Sequence, residues 1–255
     1  MKIDTKDKKV LIFSDVHQSW KYISKIVKAE GADVNICLGD WFDSFFYDAP
    51  EDVYETACFL EHFLKSPNNH TLWGNHDLHY FNPFRQTICG GYDASKQSYI
   101  NEIFGRNKTN IASKFKWYLQ VDDYICTHAG IHQHHLPPFL DTKNIAAWLD
   151  TEGKIADIKL TARDPFWFYV AGKARGGSAV RGGLVWLDFN EEFKGIAGIK
   201  QIVGHTPSRE SRIRGWKVNK EIPVQQWNNI CIDCNLAQYI IITDGKIEIK
   251  KYADL

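Results

Sequence analysis

The sequence predicts a mixed α/β sandwich, and two observations carry that expectation. Short β-branched or aliphatic runs alternate with helix-period segments in the first part of the chain, and the tail reads as strands closed by an Asp-Gly turn. The runs are of buried-strand length and sit between polar or glycine-containing segments.

The first element is KVLIFS (9–14), a strand that ends in a polar cluster. SWKYISKIVKAEG follows as a helix, with Trp20, Ile23 and Val27 on one face and Gly31 as its stop. DVNICL (33–38) is the second strand. PEDVYETACFLEHFLK is a second amphipathic helix, with Val53, Phe59, Leu60, Phe63 and Leu64 apolar and a proline in its first turn. HTLW (70–73), YICT (124–127) and IKQIV (199–203) are further strands. CIDCNLAQYIIITDGKIEIKKY reads as strands with Asp244-Gly245 as a hairpin turn. Residues 131–183 give no regular period. They hold Pro137-Pro138, the amphipathic piece NIAAWLD, the aromatic burst FWFY and the glycine-rich AGKARGGSAVRGG. That last stretch is not a P-loop, because Trp167 stands where the first glycine is required. With no repeat and no Pro/Ser-rich linker, residues 1–255 read as a single domain with an irregular substrate-side segment at about 131–183.

Composition narrows the function classes. Lys plus Arg and Asp plus Glu number 31 each, so the chain is formally neutral. A purely electrostatic nucleic-acid binder is not favoured, although a local basic site is compatible. No apolar run approaches the roughly 18 residues of a spanning helix, so no membrane role is expected. MKIDTKDKKVLIFSDVH passes from a short strand directly into a charged loop, which does not read as a secretory signal. The six cysteines are scattered, and Cys231-x-x-Cys234 lacks a second pair, so a reducing, cytoplasmic setting is expected.

Each of the five buried-strand candidates ends in a polar cluster: Asp15-Val-His17, Gly39-Asp40-Trp-Phe-Asp43, Gly74-Asn75-His76-Asp77, His128-Ala129-Gly130 and Gly204-His205-Thr206. In open α/β sheets, loops beyond the carboxyl ends of neighbouring strands converge on one crevice. The donors are oxygen and nitrogen without sulfur, a set suited to Mn, Fe or Zn in a two-metal centre. Asp15 and His17, two residues apart, can face the same side of a strand end. A carboxylate at Asp40 can bridge two cations about 3.5–4 Å apart. Asn75 adds a neutral oxygen, and His128 and His205 complete the second ion.

The ordered set SDVH, GDWFD, GNHD, THAG and VGHT, from Ser14 to Thr206, resembles the calcineurin-like metallophosphoesterase superfamily. That resemblance implies a four-layer α/β/β/α sandwich of two mixed β-sheets flanked by helices, with two divalent ions, manganese expected, at the strand ends. It implies that Asp15, His17 and Asp40 hold one ion and that Asp40, Asn75, His128 and His205 hold the other. Pro207 stands where many phosphodiesterases of the superfamily have a second histidine. Together with THAGI this is similar to the phosphoprotein-phosphatase branch, its bacterial and phage members, and the symmetrical dinucleoside tetraphosphatases. Ser44 departs from that branch, occupying the place of its phosphate-binding arginine, and GNHD replaces GNHE. Arg181 in VRGGLVW is the first substitute expected, followed by Arg163, Arg175 and Arg85.

The chemistry implied is in-line displacement at phosphorus by a hydroxide held between the ions, with His76 as the acid and Asp43 as its partner. Asp77 is expected to brace the loop. A serine/threonine phosphoprotein phosphatase is the first reading of the substrate. A nucleotide hydrolase is the alternative, because Trp41, Phe42, Phe45, Phe46 and Tyr47 could stack a base. A non-catalytic scaffold is the third reading.

Overall fold

The computed structural model describes residues 1–46, 49–213 and 228–255. Among the described residues, twelve strands form two mixed six-stranded sheets. They are β1 Lys2–Ile3, β2 Lys9–Phe13, β3 Val34–Cys37, β4 Asn69–Leu72, β5 Phe115–Lys116, β6 Tyr118–Val121, β7 Tyr124–Thr127, β8 Lys200–Val203, β9 Arg212–Ile213, β10 Asn229–Cys231, β11 Gln238–Thr243 and β12 Lys246–Lys251. The first sheet has the order β12-β11-β2-β3-β4-β5 and the second β1-β6-β7-β8-β10-β9. Helices are α1 Trp20–Glu30, α2 Pro50–Phe63, α3 Asn75–Phe81, α4 Ala94–Phe104, α5 Lys108–Ala112 and α6 Ile145–Ala162.

The period of two along the strands explains the layering. On β2, Val10 and Ile12 enter an apolar cluster with Ile36, Leu119, Cys126, Ile202, Ile230 and Ile240, which come from both sheets. Leu11 and Phe13, pointing the other way, pack with Ile23 and Ile26 of α1 and with Val53, Leu60 and Phe63 of α2. Both faces of β2 are therefore covered, which is why its sequence is a continuous apolar run rather than an alternating one. The expected sandwich of two mixed sheets flanked by helices is the fold.

The expected strand and helix cores are observed, with ends differing by a residue or two. Gly31 closes α1 at φ 52°, and Asp244-Gly245 turn the final hairpin at φ 49° and 72°. The irregular reading of 131–183 gives way over α6, an 18-residue helix. It buries Ile145, Leu149, Gly153, Ala156 and Leu160 along one stripe. Gly153 lies inside the helix, where a Cβ would meet the Trp117 ring at 3.3 Å. Helices α3, α4 and α5 and the short strands β1, β5, β6 and β9 are likewise additions to the sequence reading. Among the described residues, no helix is long and apolar enough to cross a membrane.

Strands β2, β3 and β4 are parallel neighbours in one sheet, and β7 and β8 are parallel neighbours in the other. Their carboxyl ends carry the five polar clusters, so the topology alone gathers them.

Candidate metal centre

Backbone hydrogen bonds stitch the five strand-end loops together. Asp15 N–H donates to Gly39 O at 3.2 Å, His17 N–H to Asp40 O at 2.9 Å and Gly204 N–H to His128 O at 2.6 Å. His205 N–H donates to the Asp15 carboxylate at 3.1 Å, which ties β8's loop to β2's across the two sheets. The glycines before the polar residues make this approach feasible. A Cβ on Gly74 would land on the Asp40 backbone and carboxylate, and one on Gly204 would land on Ser14 and Asp15.

Asp15, Asp40, Asn75, His128 and His205 are all buried, and His17 is half-buried. Donor atoms of Asp15, His17 and Asp40 lie within 4.8 Å of one another, and so do those of Asp40, His128 and His205. Asp40 belongs to both groups. Its Oδ2 is 3.3 Å from His128 Nε2 and 3.9 Å from His17 Nε2, while its Oδ1 accepts the His76 N–H at 2.9 Å. Asn75 Oδ1 is 3.1 Å from His128 Nε2.

Tautomers test whether cations fit. His128 Nδ1 faces Leu38 O at 2.8 Å and His17 Nδ1 faces Phe42 O at 3.0 Å. A carbonyl can only accept, so each Nδ1 carries a proton, which leaves each Nε2, facing Asp40, as the atom that can bind a cation. Around His128 Nε2 a carboxylate oxygen and an amide oxygen converge, so with protein groups alone this nitrogen holds a proton that a cation would replace. His205 Nε2 is also buried without a hydrogen-bond partner. Such a set of acceptors is satisfied by cations, and the residues present fit a dinuclear site.

With protein groups alone, the charges are strongly coupled. Burial lifts Asp15 to a pKa of about 6 against the pull of His128. Burial would lower His128, but Asp40 and Asp15 outweigh it and raise the imidazole to about 9. The backbone is strained at the same place. Asp15, His17, Asp40, Asp43 and His205 all lie in the left-handed region, at φ 56°, 42°, 57°, 64° and 69°.

His76 stands at the edge of this cluster, with Nδ1 2.9 Å from Asp43 Oδ2. Burial opposes its positive charge, but Asp40 and Asp43 prevail and hold its pKa well above the ordinary histidine value. Asp77 plays a different part: its carboxylate accepts the N–H groups of Asp40 and Trp41 at 2.8 Å and of Gly74 at 3.1 Å, bracing two loops.

The sequence reading overlooked several neighbours. His79 Nε2 is 2.7 Å from Asp43 Oδ2, Tyr80 donates to Asp43 Oδ1 at 2.5 Å, and Lys96 Nζ lies 3.6 Å away. Residues 76, 79 and 80 share a face once 75–81 is taken as a helix, so the i, i+3, i+4 spacing was the available signal. Cys89 arrives from a separate loop, with no local signal. Burial would raise its thiol pKa, but His76 and His79 bring it down to about 7. Asp233, between the two buried cysteines of CIDC, is itself buried, and burial followed by the Asp15 charge raises its pKa to about 8.

The arginines separate clearly. Arg175 donates to His205 O at 3.3 Å and pairs with Asp188 at 2.8 Å. It lines a cavity of about 750 Å³ together with Arg85, Arg163, Cys89 and Trp186, whose ring is 5.4 Å from that of His205. Arg181 lies near His132 instead: burial, then the Arg181 charge, push that imidazole down to about 4. Ser44 is buried, with its N–H bonded to Gln18 Oε1 at 2.9 Å. The aromatic cluster also divides. Trp41 and Phe42 are core residues, Phe45 and Phe46 are 74% and 82% exposed, and Tyr47 lies outside the described residues.

A family model described as calcineurin-like phosphoesterase matches residues 8–209. No curated protein matches the sequence significantly. Among solved structures, the cold-active protein-tyrosine phosphatase of a psychrophile Shewanella species aligns over 100% of this chain and 80% of its own, with TM-score 0.61 and 15% identity. A protein serine/threonine phosphatase from Saccharomyces cerevisiae aligns over 98% and 82%, with TM-score 0.57 and 12% identity. A candidate diadenosine tetraphosphatase aligns over 98% and 97%, with TM-score 0.51 and 13% identity. At these identities the likenesses show a shared fold.

Proposed function

We propose that this chain, which belongs to the calcineurin-like phosphoesterase family, is a phosphomonoesterase of the serine/threonine phosphoprotein-phosphatase type. It is a metal-dependent phosphoric ester hydrolase, and the family works with two divalent cations. In our reading Asp15, His17 and Asp40 hold the first cation, and Asp40, Asn75, His128 and His205 hold the second. Manganese is the ion we favour for this all-oxygen and nitrogen donor set, with iron or zinc as the alternatives. Cations bound there supply a water ionised near neutral pH and offset the charge on the phosphate oxygens.

The chain's own groups do the rest. Asp43 accepts the Nδ1 proton of His76, which fixes the ring and directs Nε2–H toward the leaving oxygen. Asp77 holds the loops of Asp40 and Asn75 in register. Arg175, seated against the His205 carbonyl, is our choice to clamp the phosphate oxygens in place of the arginine missing at Ser44. In our reading it takes that role ahead of Arg181. The cavity it shares with Arg85 and Arg163 would receive the substrate. Its free cysteines suit a reducing compartment such as the cytoplasm.

The observation that carries this reading is the 2.9 Å His76–Asp43 pair beside a buried carboxylate–imidazole cluster. It provides a proton for an alkoxide leaving group as poor as a serine side chain. The position of Pro207, where a second histidine is common in phosphodiesterases, supports the monoester. A nucleotide hydrolase is the second reading, supported by exposed Phe45, whose ring lies 5.9 Å from His17 and 6.2 Å from His76. A panel of nitrophenyl phosphate, its bis ester, phosphopeptides, diadenosine tetraphosphate and single-stranded DNA separates the two. The highest kcat/KM is expected on phosphopeptides. Preference for the bis ester or the dinucleotide would overturn the first reading.

A further inference from the structure

Beside the crevice lies a donor set of a different chemical kind. Cys89 Sγ is 3.4 Å from His79 Nδ1 and 3.8 Å from His76 Nδ1, and the three donor atoms fall within 4.8 Å of one another. With Zn–S near 2.3 Å and Zn–N near 2.0–2.1 Å, tetrahedral geometry places sulfur and nitrogen ligands roughly 3.6 Å apart. The two observed separations bracket that value.

The surroundings match a ligating set as well. His79 is wholly buried and turns its other nitrogen, Nε2, to Asp43 Oδ2 at 2.7 Å. A carboxylate on the far nitrogen is the arrangement that fixes a metal-binding imidazole and raises its basicity. Cys89 is partly exposed and lines the cavity next to the crevice, which gives an ion a route in. Its sulfur also distinguishes this site from the crevice, whose proposed ligands are all oxygen and nitrogen. Soft ions prefer the thiolate.

We propose that His76, His79 and Cys89 form a third, inhibitory metal site for a soft divalent cation of the zinc or cadmium kind. On binding, the Cys89 thiol releases its proton to solvent and the sulfur bonds the ion. His79 binds through Nδ1 while its Nε2 stays beside the Asp43 carboxylate. His76 gives up its Nδ1 proton to solvent, bonds through that nitrogen and leaves Asp43, so the pairing that supports proton donation is lost. The inhibition rests on the reading of His76 as the acid, whereas the site itself does not.

The test is a cadmium titration of the manganese-loaded enzyme, recording thiolate-to-metal charge-transfer absorption and turnover on the same samples. Wild-type protein is expected to bind one thiolate-ligated ion per chain and lose activity with the same titration curve. Cys89→Ser is expected to lose the absorption and, measured against its own cadmium-free rate, to need about 10–100-fold more cadmium for half-inhibition. No absorption in the wild type, or absorption that persists in Cys89→Ser, would overturn the site. Absorption without inhibition would overturn the inhibitory role. Absorption in a protein that turns over no phosphate ester would support the site while rejecting the phosphatase reading.

Discussion

Val10, Ile12, Ile36, Ile202 and Ile240 fill the space between the sheets, fully buried and wholly apolar, whereas a few residues further along those strands and β7, Asp15, Asp40, His128 and His205 are buried and polar. The strands run regularly through the first region. In the second, Asp15, His17, Gln18, Asp40, Asp43 and His205 adopt left-handed backbone conformations, each costing on the order of 1–3 kcal/mol. Burying each isoleucine of the dry layer returns about 1.5–3 kcal/mol. The comparison teaches a division of labour: one stretch of strand provides stability without chemistry, and its continuation provides chemistry at a cost in stability. The cost is sustained because the two regions share the same rigid strands.

If that division holds, mutations in the two regions should have separable effects. The largest expected effect is on the crevice side. His76→Asn should lower kcat by about 10²–10⁴-fold on alkyl phosphates, far less on nitrophenyl phosphate, with bound metal unchanged. Steady-state kinetics and metal analysis on one preparation check it, and release of a metal would reassign His76 as a ligand. Ile12→Ala, in the dry layer, should destabilise by about 2–5 kcal/mol in denaturant unfolding while leaving kcat per folded molecule unchanged. A matching loss of kcat would show that the regions are not separable. A smaller effect is expected from Arg175→Ala, which should reduce kcat/KM by about 10–100-fold, the worth of a charged hydrogen bond of about 1.5–3 kcal/mol. Arg181→Ala should change kcat/KM much less, and an equal loss would return the phosphate clamp to the arginine suggested by sequence.

The two regions also differed in how legible they were. Apolar runs such as KVLIFS and YICT announce strands because both their faces are covered, and the polar clusters after them stand out by position. The polar clusters that make up the candidate ligand set could be written down from residue order because parallel neighbouring strands bring them together. What escaped was side-on packing. The environment of Asp43 is made by one face of a seven-residue helix, by Lys96 on α4 and, through His79, by Cys89 from a loop, so little in the local sequence marks it. Helix α6 was legible only in its first turns, as the amphipathic piece NIAAWLD, and its continuation past Gly153, set against Trp117, was not. Arg175 and Arg181 are six residues apart in a glycine-rich stretch, and only tertiary structure shows which one reaches His205.

The central claim is that the crevice is one dinuclear site with Asp40 shared by both ions. Manganese content measured per chain after loading and desalting tests it most directly, with turnover followed on the same samples. The account predicts about two ions and activity in the wild type, and loss of bound metal together with turnover in Asp40→Asn. Two ions retained in Asp40→Asn, or none bound by the wild type, would contradict it.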